Sequence, residues 1–471
     1  MAERYWIETL GCPKNQVDSD KLVGTLTVDG FEAADSPEEA DLVVVNTCAF
    51  IEAARQESID TVLTLADSRR DGARLVVTGC MAERYGDELA EALPEVDLVA
   101  PFGASLTGTS LTGATSIGPS TGPDRTPVTL GPKPAGAAVP SFDLLNLPRP
   151  PATAPWSYVK VAEGCDRNCG FCAIPSFRGK QRSRSVDSIL DEVDQLGATA
   201  GTLAEVVLVA QDLSSFALDR STGRTEPRID GPATVGNRPI VNLVAAVSER
   251  VRWTRLLYLY PSTLDDALVE TILATGVPYF DLSLQHVSRP LLKRMRRWGE
   301  GDRFLERIRT IRSAEPTAAF RSSFIVGYPG ETEEDHDRLL AWIEEARLDW
   351  VGFFPFSNEV GTYAADLDGQ VPEELMAERI GECTELQDAI TAAKREALIG
   401  ATVEVLVDSP GEARTYREAP EIDGIVTVPD HLSVGSFVEV VVTDVDGPDL
   451  TADVAGSPHP GLAVAGAGGR A

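Results

Sequence analysis

The sequence predicts an α/β protein in three parts: an N-terminal parallel α/β domain, a central (β/α) partial barrel and a small C-terminal β-barrel. Three observations carry that prediction. Apolar runs of strand length alternate with amphipathic segments over the first hundred residues, six further strand-and-helix signals follow from Trp156, and short alternating strands separated by Gly, Pro and Asp close the chain. With 471 residues, 43% of them apolar, there is material for several cores.

In the first part, residues 1–102, the runs RYWIETLGC, DLVVVNTC and RLVVTGC are separated by helical patterns such as Ile51 to Leu65. Each run ends on a cysteine, Cys12, Cys48 or Cys80. Open parallel sheets bind ligands along the carboxyl edge of their strands, so three cysteines far apart in sequence can converge there. Residues 103–155 are rich in Gly, Ser, Thr, Pro and Ala and read as a flexible linker. The central part, 156–399, is built from WSYVKVAEGC, AEVVLVAQD, RLLYLYP, YFDLSLQH, AFRSSFIVGYPG and WVGFFPFS, with helical stretches such as Val186 to Leu196 and Glu333 to Ala346 between them. In such barrels chemistry sits on the loops after the strands. A polar stretch from Asp219 to Asn237 reads as a long loop within this part. Residues 400–454, with ATVEVLVD, GIVTVP and SFVEVVVTDV, form the β module, and 455–471 has the composition of a flexible tail.

No run of 18 apolar residues and no leader-like N-terminus is present, so a cytoplasmic protein without membrane contact is expected. Acidic residues outnumber basic ones by 73 to 42, a formal charge of −31, which favours a basic partner over a polyanion. Seven cysteines without an export signal point to metal or redox chemistry rather than a disulfide framework. Cys383, alone in a helical stretch, reads as a buried small apolar side chain.

The sharpest motif is Cys165-Asp166-Arg167-Asn168-Cys169-Gly170-Phe171-Cys172, directly after the first strand of the central part. Three close thiolates suit a soft-metal centre, and a four-iron cluster on three cysteines leaves one iron open to a reactant. A zinc ribbon needs a second cysteine pair that is absent nearby. The CxxxC spacing, the aromatic residue Phe171 and Cys172 resemble the signature of the radical S-adenosylmethionine superfamily. That resemblance implies that Cys165, Cys169 and Cys172 hold a 4Fe-4S cluster whose open iron chelates S-adenosylmethionine, the source of a 5′-deoxyadenosyl radical.

The contexts Leu10-Gly11-Cys12-Pro13-Lys14-Asn15, Asn46-Thr47-Cys48 and Thr78-Gly79-Cys80 resemble the amino-terminal domain of the methylthiotransferases, which implies a second 4Fe-4S cluster on Cys12, Cys48 and Cys80. Taken alone, three dispersed cysteines read equally as buried thiols. The stretches Ile174 to Gly179, Ser283-Leu284-Gln285-His286 and Phe324 to Thr332 extend the similarity. On the same ground Phe171, Ser283, Gln285, Ile325 and Gly327 are expected to border S-adenosylmethionine. His286, at a strand end, reads as a structural histidine. Lys293, Arg294, Arg296 and Arg297 form a basic run that reads either as a solvated helix face or as an RNA contact.

Within the methylthiotransferases one branch modifies an adenosine of transfer RNA and another an aspartate of small-subunit ribosomal protein S-twelve. LGCPKNQVDSDKLVG, AEGCDRNCGFCAIPSFRG and Ala419-Pro420-Glu421-Ile422-Asp423-Gly424 resemble the second. The resemblance implies S-adenosylmethionine in two roles, methyl donor and radical source. It also implies a reducing electron donor, a sulfur donor, and S-twelve, free or on the ribosome, as substrate. The terminal module resembles the TRAM domain, an RNA binder in several tRNA-modifying enzymes. Here it carries twelve acidic and two basic residues between Gly400 and Val454, a net of −10, so direct nucleic-acid binding is not expected of it and a basic protein suits it. Glu412, Glu418, Glu421 and Asp423 are its candidate exposed acids. Departures from the family pattern are the long linker and the insertion from Phe216 to Asn237. Two other readings stand beside this one: a tRNA adenosine methylthiotransferase, or a non-enzymatic iron–sulfur protein that binds the ribosome.

Overall fold

The computed structural model describes residues 2–107, 144–198, 203–220 and 238–455. Most of the expected linker, the far part of the 216–237 insertion and the tail after Ala455 lie outside them.

The N-terminal unit is a five-stranded parallel sheet. In chain order its strands are β1 (Arg4–Thr9), β2 (Glu32–Ala33), β3 (Leu42–Thr47), β4 (Arg74–Gly79) and β5 (Leu98–Ala100), arranged in space as β2-β1-β3-β4-β5. Every residue of β3 is buried, as a central parallel strand covered on both faces requires. Helices α1 (Pro13–Val28), α2 (Glu52–Ser68) and α3 (Cys80–Ala92) follow β1, β3 and β4. The buried residues of α1 are largely polar, Lys14, Asn15, Asp18, Ser19 and Lys21 among them, because this helix lies against the central unit as well as its own sheet.

The central unit contains β6 (Trp156–Lys160), the short antiparallel pair β7 (Ala162–Glu163) and β8 (Arg182–Ser183), then β9 (Glu205–Val209), β10 (Trp253–Leu256), β11 (Tyr279–Gln285), β12 (Ala319–Val326) and β13 (Trp350–Pro355). Parallel pairing gives β6-β9-β10 and β11-β12-β13, and a parallel bridge from Leu259 to Leu282 joins the two halves into one open six-stranded barrel. Each of the six predicted strand segments contains an observed strand, although β10 covers only Arg255 and Leu256 of RLLYLYP and starts two residues earlier. Helices α4 (Ile174–Phe177), α5 (Val186–Gly197), α6 (Pro239–Ser248), α7 (Asp266–Leu273), α8 (Arg289–Arg294), α9 (Gly301–Ala314) and α10 (Glu333–Ala346) alternate with the strands, and α11 (Glu373–Glu396) packs against the last of them. Alternate residues of β11 explain its placement: Leu282 and Leu284 are buried in the core under the helices, whereas Ser283 and Gln285 are only half-buried. Helix α10 begins where Thr332 and Asp335 form a reciprocal capping box.

The C-terminal unit closes into a five-stranded barrel, β14 (Thr402–Ser409), β15 (Glu412–Arg414), β16 (Val426–Thr427), β17 (Phe437–Asp446) and β18 (Asp449–Val454), in the order β14-β15-β16-β18-β17. It is tied to the central unit by buried polar contacts. Glu205 of β9 accepts from Arg255 at 2.7 Å and from Arg414 at 2.8 Å. The hydroxyls of Tyr158 and Tyr279 donate to the Pro420 carbonyl and to Asp423, both at 2.6 Å.

Three expectations change here. Glu418 is fully buried against Arg395, and Asp423 takes up Tyr279 and Arg321, so neither is available to a partner; only Glu412 and Glu421 of that group are exposed. Residues 144–155 are packed rather than free: Leu144 and Leu145 are buried, and Arg149 pairs with Asp20 and Glu192. Phe216, at the start of the insertion, belongs to the central core.

Candidate functional site

Both cysteine sets lie at carboxyl ends of parallel strands. Cys12 and Cys48 follow β1 and β3, and Cys80 opens α3 directly after β4. Gly11, at φ +97°, brings the chain so close to Cys48 that a Cβ there would stand 2.9 Å from the Cys48 Cβ and 3.1 Å from its Sγ. The three thiols feel one another: burial first, then Cys80 and Cys12, push Cys48 up to about 12. Burial also raises Cys80, although the Arg178 guanidinium donates to its sulfur at 2.9 Å. Cys12 differs. Burial opposes its ionisation, but Lys14, Arg178 and the backbone N–H groups of Asn15 and Lys14 at the start of α1 outweigh it and lower its pKa.

In the second set, the loop after β7 is pinned at three points. The Cys165 N–H donates to the Gly179 carbonyl at 3.1 Å, Gly170 N–H to Met295 at 2.8 Å, and Ala364 N–H to Gly170 at 2.8 Å. Burial pushes Cys165 up to about 11 and Cys172 up to about 12, the latter with the neighbouring Cys169 and Cys165 adding to it. Arg297 donates to the Cys169 sulfur at 3.2 Å and to the Ser283 carbonyl.

All seven cysteines are free thiols. Among the described residues no three His, Cys, Asp or Glu side chains are arranged to hold a single metal ion. A polynuclear cluster makes a different demand, since each thiolate takes its own iron around a larger centre. Two mutually interacting sets of soft donors, each approached by one guanidinium, fit that demand.

The sets share one connected site. Arg178, six residues after Cys172, reaches Asp18, Asn15 and Cys80 of the N-terminal unit and Glu163 of its own. Lys160 joins Asp18 and Glu163, giving a buried network of two cations and two carboxylates. The segment after β10 spans from one set to the other. The Tyr258 ring lies 3.4 Å under the Lys14 ammonium, and the Tyr260 ring is covered by Arg167 at 3.9 Å and by Arg297 at 4.4 Å.

Of the other predicted residues, Phe171 lies in the cysteine loop itself and the rest at or near the ends of β11 and β12. Phe171 is partly buried against the central core, Ser283 and Gln285 occur at the end of β11, Ile325 is in β12, and Gly327 follows it at φ +81° with its N–H on Glu331 at 2.7 Å. Gln285 has a positive φ of 71° beside a bulge in the pairing with β12. His286 is buried and accepts from the Ser288 N–H at 3.0 Å, a structural role, and Cys383 is buried in α11. The basic run divides: Arg294 binds Pro329 and Asp368, Arg296 covers Tyr363, Arg297 serves Cys169, and Lys293 is exposed. Sequence reasoning missed Lys14, Arg178 and Arg297 as site residues, although all three lie in stretches it singled out.

An open parallel barrel with a three-cysteine loop after its first strand defines a radical S-adenosylmethionine enzyme, and the Radical SAM superfamily model matches residues 159–343. The model of Uncharacterized protein family UPF0004 matches 4–101, and that of the TRAM domain 399–455. The chain belongs to the RimO family of methylthiotransferases. It is 40% identical to the ribosomal protein uS12 methylthiotransferase RimO of Moorella thermoacetica over 93% of this chain and 96% of that one. It is likewise 40% identical to the protein of the same name from Cutibacterium acnes over 94% and 96%. A solved cobalamin-dependent S-adenosylmethionine radical enzyme, OxsB, aligns with 82% of this chain and 56% of its own at a TM-score of 0.46 and 12% identity. Membership makes this protein a radical methylthiotransferase that uses S-adenosylmethionine and iron–sulfur chemistry. Among the described residues no helix is long and apolar enough to cross a membrane.

Proposed function

We propose that the protein adds a methylthio group to the β-carbon of an aspartate side chain in ribosomal protein uS12, with two 4Fe-4S clusters bound by the two cysteine sets. The observation that carries this reading is identity along nearly the whole chain to relatives named for uS12. In it Cys165, Cys169 and Cys172 hold the cluster that, with S-adenosylmethionine bound, supplies the adenosyl radical. Phe171, Ser283, Gln285, Ile325 and Gly327 border the adenosyl group. Cys12, Cys48 and Cys80 hold the sulfur-handling cluster, and the connected site lets one side chain meet both. S-adenosylmethionine is methyl donor as well as radical source, and a reductant and a sulfur donor complete the reaction.

Charge supports a basic protein as substrate. Glu412, Glu421, Asp430, Glu439, Asp444 and Asp446 of the C-terminal barrel are exposed, and among the described residues none is in an ion pair. Such a surface repels phosphates and steers cations. The division of labour follows residues 1–102 for sulfur, 156–399 for radical chemistry and 400–454 for docking. Mass spectrometry of uS12 and of transfer RNA, each incubated with the reconstituted enzyme, tests the reading. A methylthio group on the uS12 aspartate is expected. Modification of transfer RNA with unmodified uS12 would reject it.

A further inference from the structure

Among the described residues, the buried and half-buried cations near the two cysteine sets other than Lys14 are already engaged. Arg178 and Lys160 share Asp18 and Glu163, Arg167 pairs with Asp212, Arg321 with Asp281 and Asp423, and Arg297 donates to Cys169 and to the Ser283 carbonyl. Lys14 is the exception. It is only 9% exposed, yet among the described residues no carboxylate lies within ion-pair distance of it. Its ammonium lies against the face of Tyr258, and its charge also acts on the Cys12 thiol two residues away. A buried ammonium without a carboxylate partner is costly, and a ring face compensates only part of that cost.

Tyr258 itself is held at φ +64°, the left-handed region that a bulky aromatic residue seldom occupies. The backbone is thus constrained to keep that ring beneath Lys14, on the segment that runs between the two cysteine sets. An arrangement of this kind holds one positive charge, fixed in direction, beside the dispersed cysteine set.

We propose that Lys14 determines specificity by receiving the carboxylate of the substrate's acidic side chain, with Tyr258 holding the ammonium in position until it arrives. The assignment rests on the reading of an aspartate in uS12 as the target. A carboxylate bound by Lys14 keeps its adjacent methylene between the sulfur-handling and radical-generating sides, and a neutral amide or a nucleobase lacks the charge that Lys14 requires.

The test is a double-mutant cycle in binding, using the anaerobically reconstituted full chain, uS12, and uS12 whose target aspartate is changed to Asn. For wild-type enzyme the Asn substrate is expected to bind roughly tenfold to a hundredfold more weakly, the range for a hydrogen bond to a charged group. Lys14→Met should lose a similar factor with normal uS12, show it mainly in KM, and bind the Asn substrate no worse than wild type does. Lys14→Arg should recover part of the discrimination. Effects that simply multiply, with no coupling between enzyme and substrate changes, would overturn the assignment, as would loss of iron from Lys14→Met, which would place the residue in service of the metal centre alone. Wild-type enzyme that leaves uS12 unmodified would reject the substrate reading. Wild-type enzyme that modifies it without coupling would reject Lys14 only.

Discussion

The two cysteine sets do related work with opposite architectures. Cys165, Cys169 and Cys172 lie within eight residues on one pinned loop, whereas Cys12, Cys48 and Cys80 are gathered from three strand ends of a sheet. The compact set depends on local loop geometry, so it survives as long as the loop does. The dispersed set exists only when the sheet register is correct and the central unit supplies Arg178 to Cys80. One site is written in the chain and the other in the fold.

The largest expected effect separates them by function. Replacing Cys165, Cys169 and Cys172 with Ala should halve the iron bound and abolish 5′-deoxyadenosine formation, whereas Ala at Cys12, Cys48 and Cys80 should halve the iron but spare that cleavage and abolish methylthio transfer. Iron analysis and product chromatography read both, and equal behaviour of the two variants would erase the distinction. Next in size is Arg178→Met. Removing a buried guanidinium leaves Asp18 and Glu163 with Lys160 alone, and breaking such a network costs about 3–5 kcal/mol. Denaturant unfolding should show that loss, with iron missing from the dispersed site first. A similar loss of iron from both sites would mean that Arg178 does not distinguish them.

A third prediction concerns pH. Thiols held at about 11 to 12 by burial at Cys48, Cys165 and Cys172 are protonated near neutrality, and a thiolate must shed its proton to bind metal. Iron affinity should therefore rise with pH between 6 and 9 at both sites. The rise should be shallower at the dispersed site, because Cys12 is lowered. Equal slopes would count against that difference. His286 offers an internal control in a group that is not a cysteine: burial lowers it to about 4, so the folded state binds its proton less readily than the unfolded state does. Its contribution is complete above the unfolded value near 6.5 and lost as pH falls towards 4, about 3 kcal/mol in all. His286→Gln should flatten the acid limb of the stability curve. The smallest effect is expected from charge reversal of Glu412, Glu421, Asp430 and Glu439, which should weaken uS12 binding a few-fold, less so at high salt, without changing iron content at either set.

How much could be read beforehand follows the same contrast. The six central strands, the three-cysteine loop and the strand-end position of the other three cysteines are local patterns, and each appears where expected. What composition hides is partnership at long range. Arg178 meets Asn15 across 163 residues and Arg414 meets Glu205 across 209, and nothing in the periodicity of either stretch reveals it. Glu418 and Asp423 read as exposed acids for the same reason, since charge alone does not tell a solvated carboxylate from one buried against an arginine or a tyrosine. The residues at 144–155 look like spacer in composition but carry Arg149, whose partners Asp20 and Glu192 belong to different units.

The seam between the C-terminal barrel and the central strands limits how this architecture can be recombined. Because Arg414 completes a charge pair with Glu205, and Tyr158 and Tyr279 reach into the Pro420–Asp423 turn, the barrel is keyed to its neighbour rather than attached by a tether. A chimaera that imports a foreign barrel leaves Glu205 with Arg255 as its only arginine and two hydroxyls without acceptors. Exchange of such modules among enzymes of this kind must carry the matching lock along with the key.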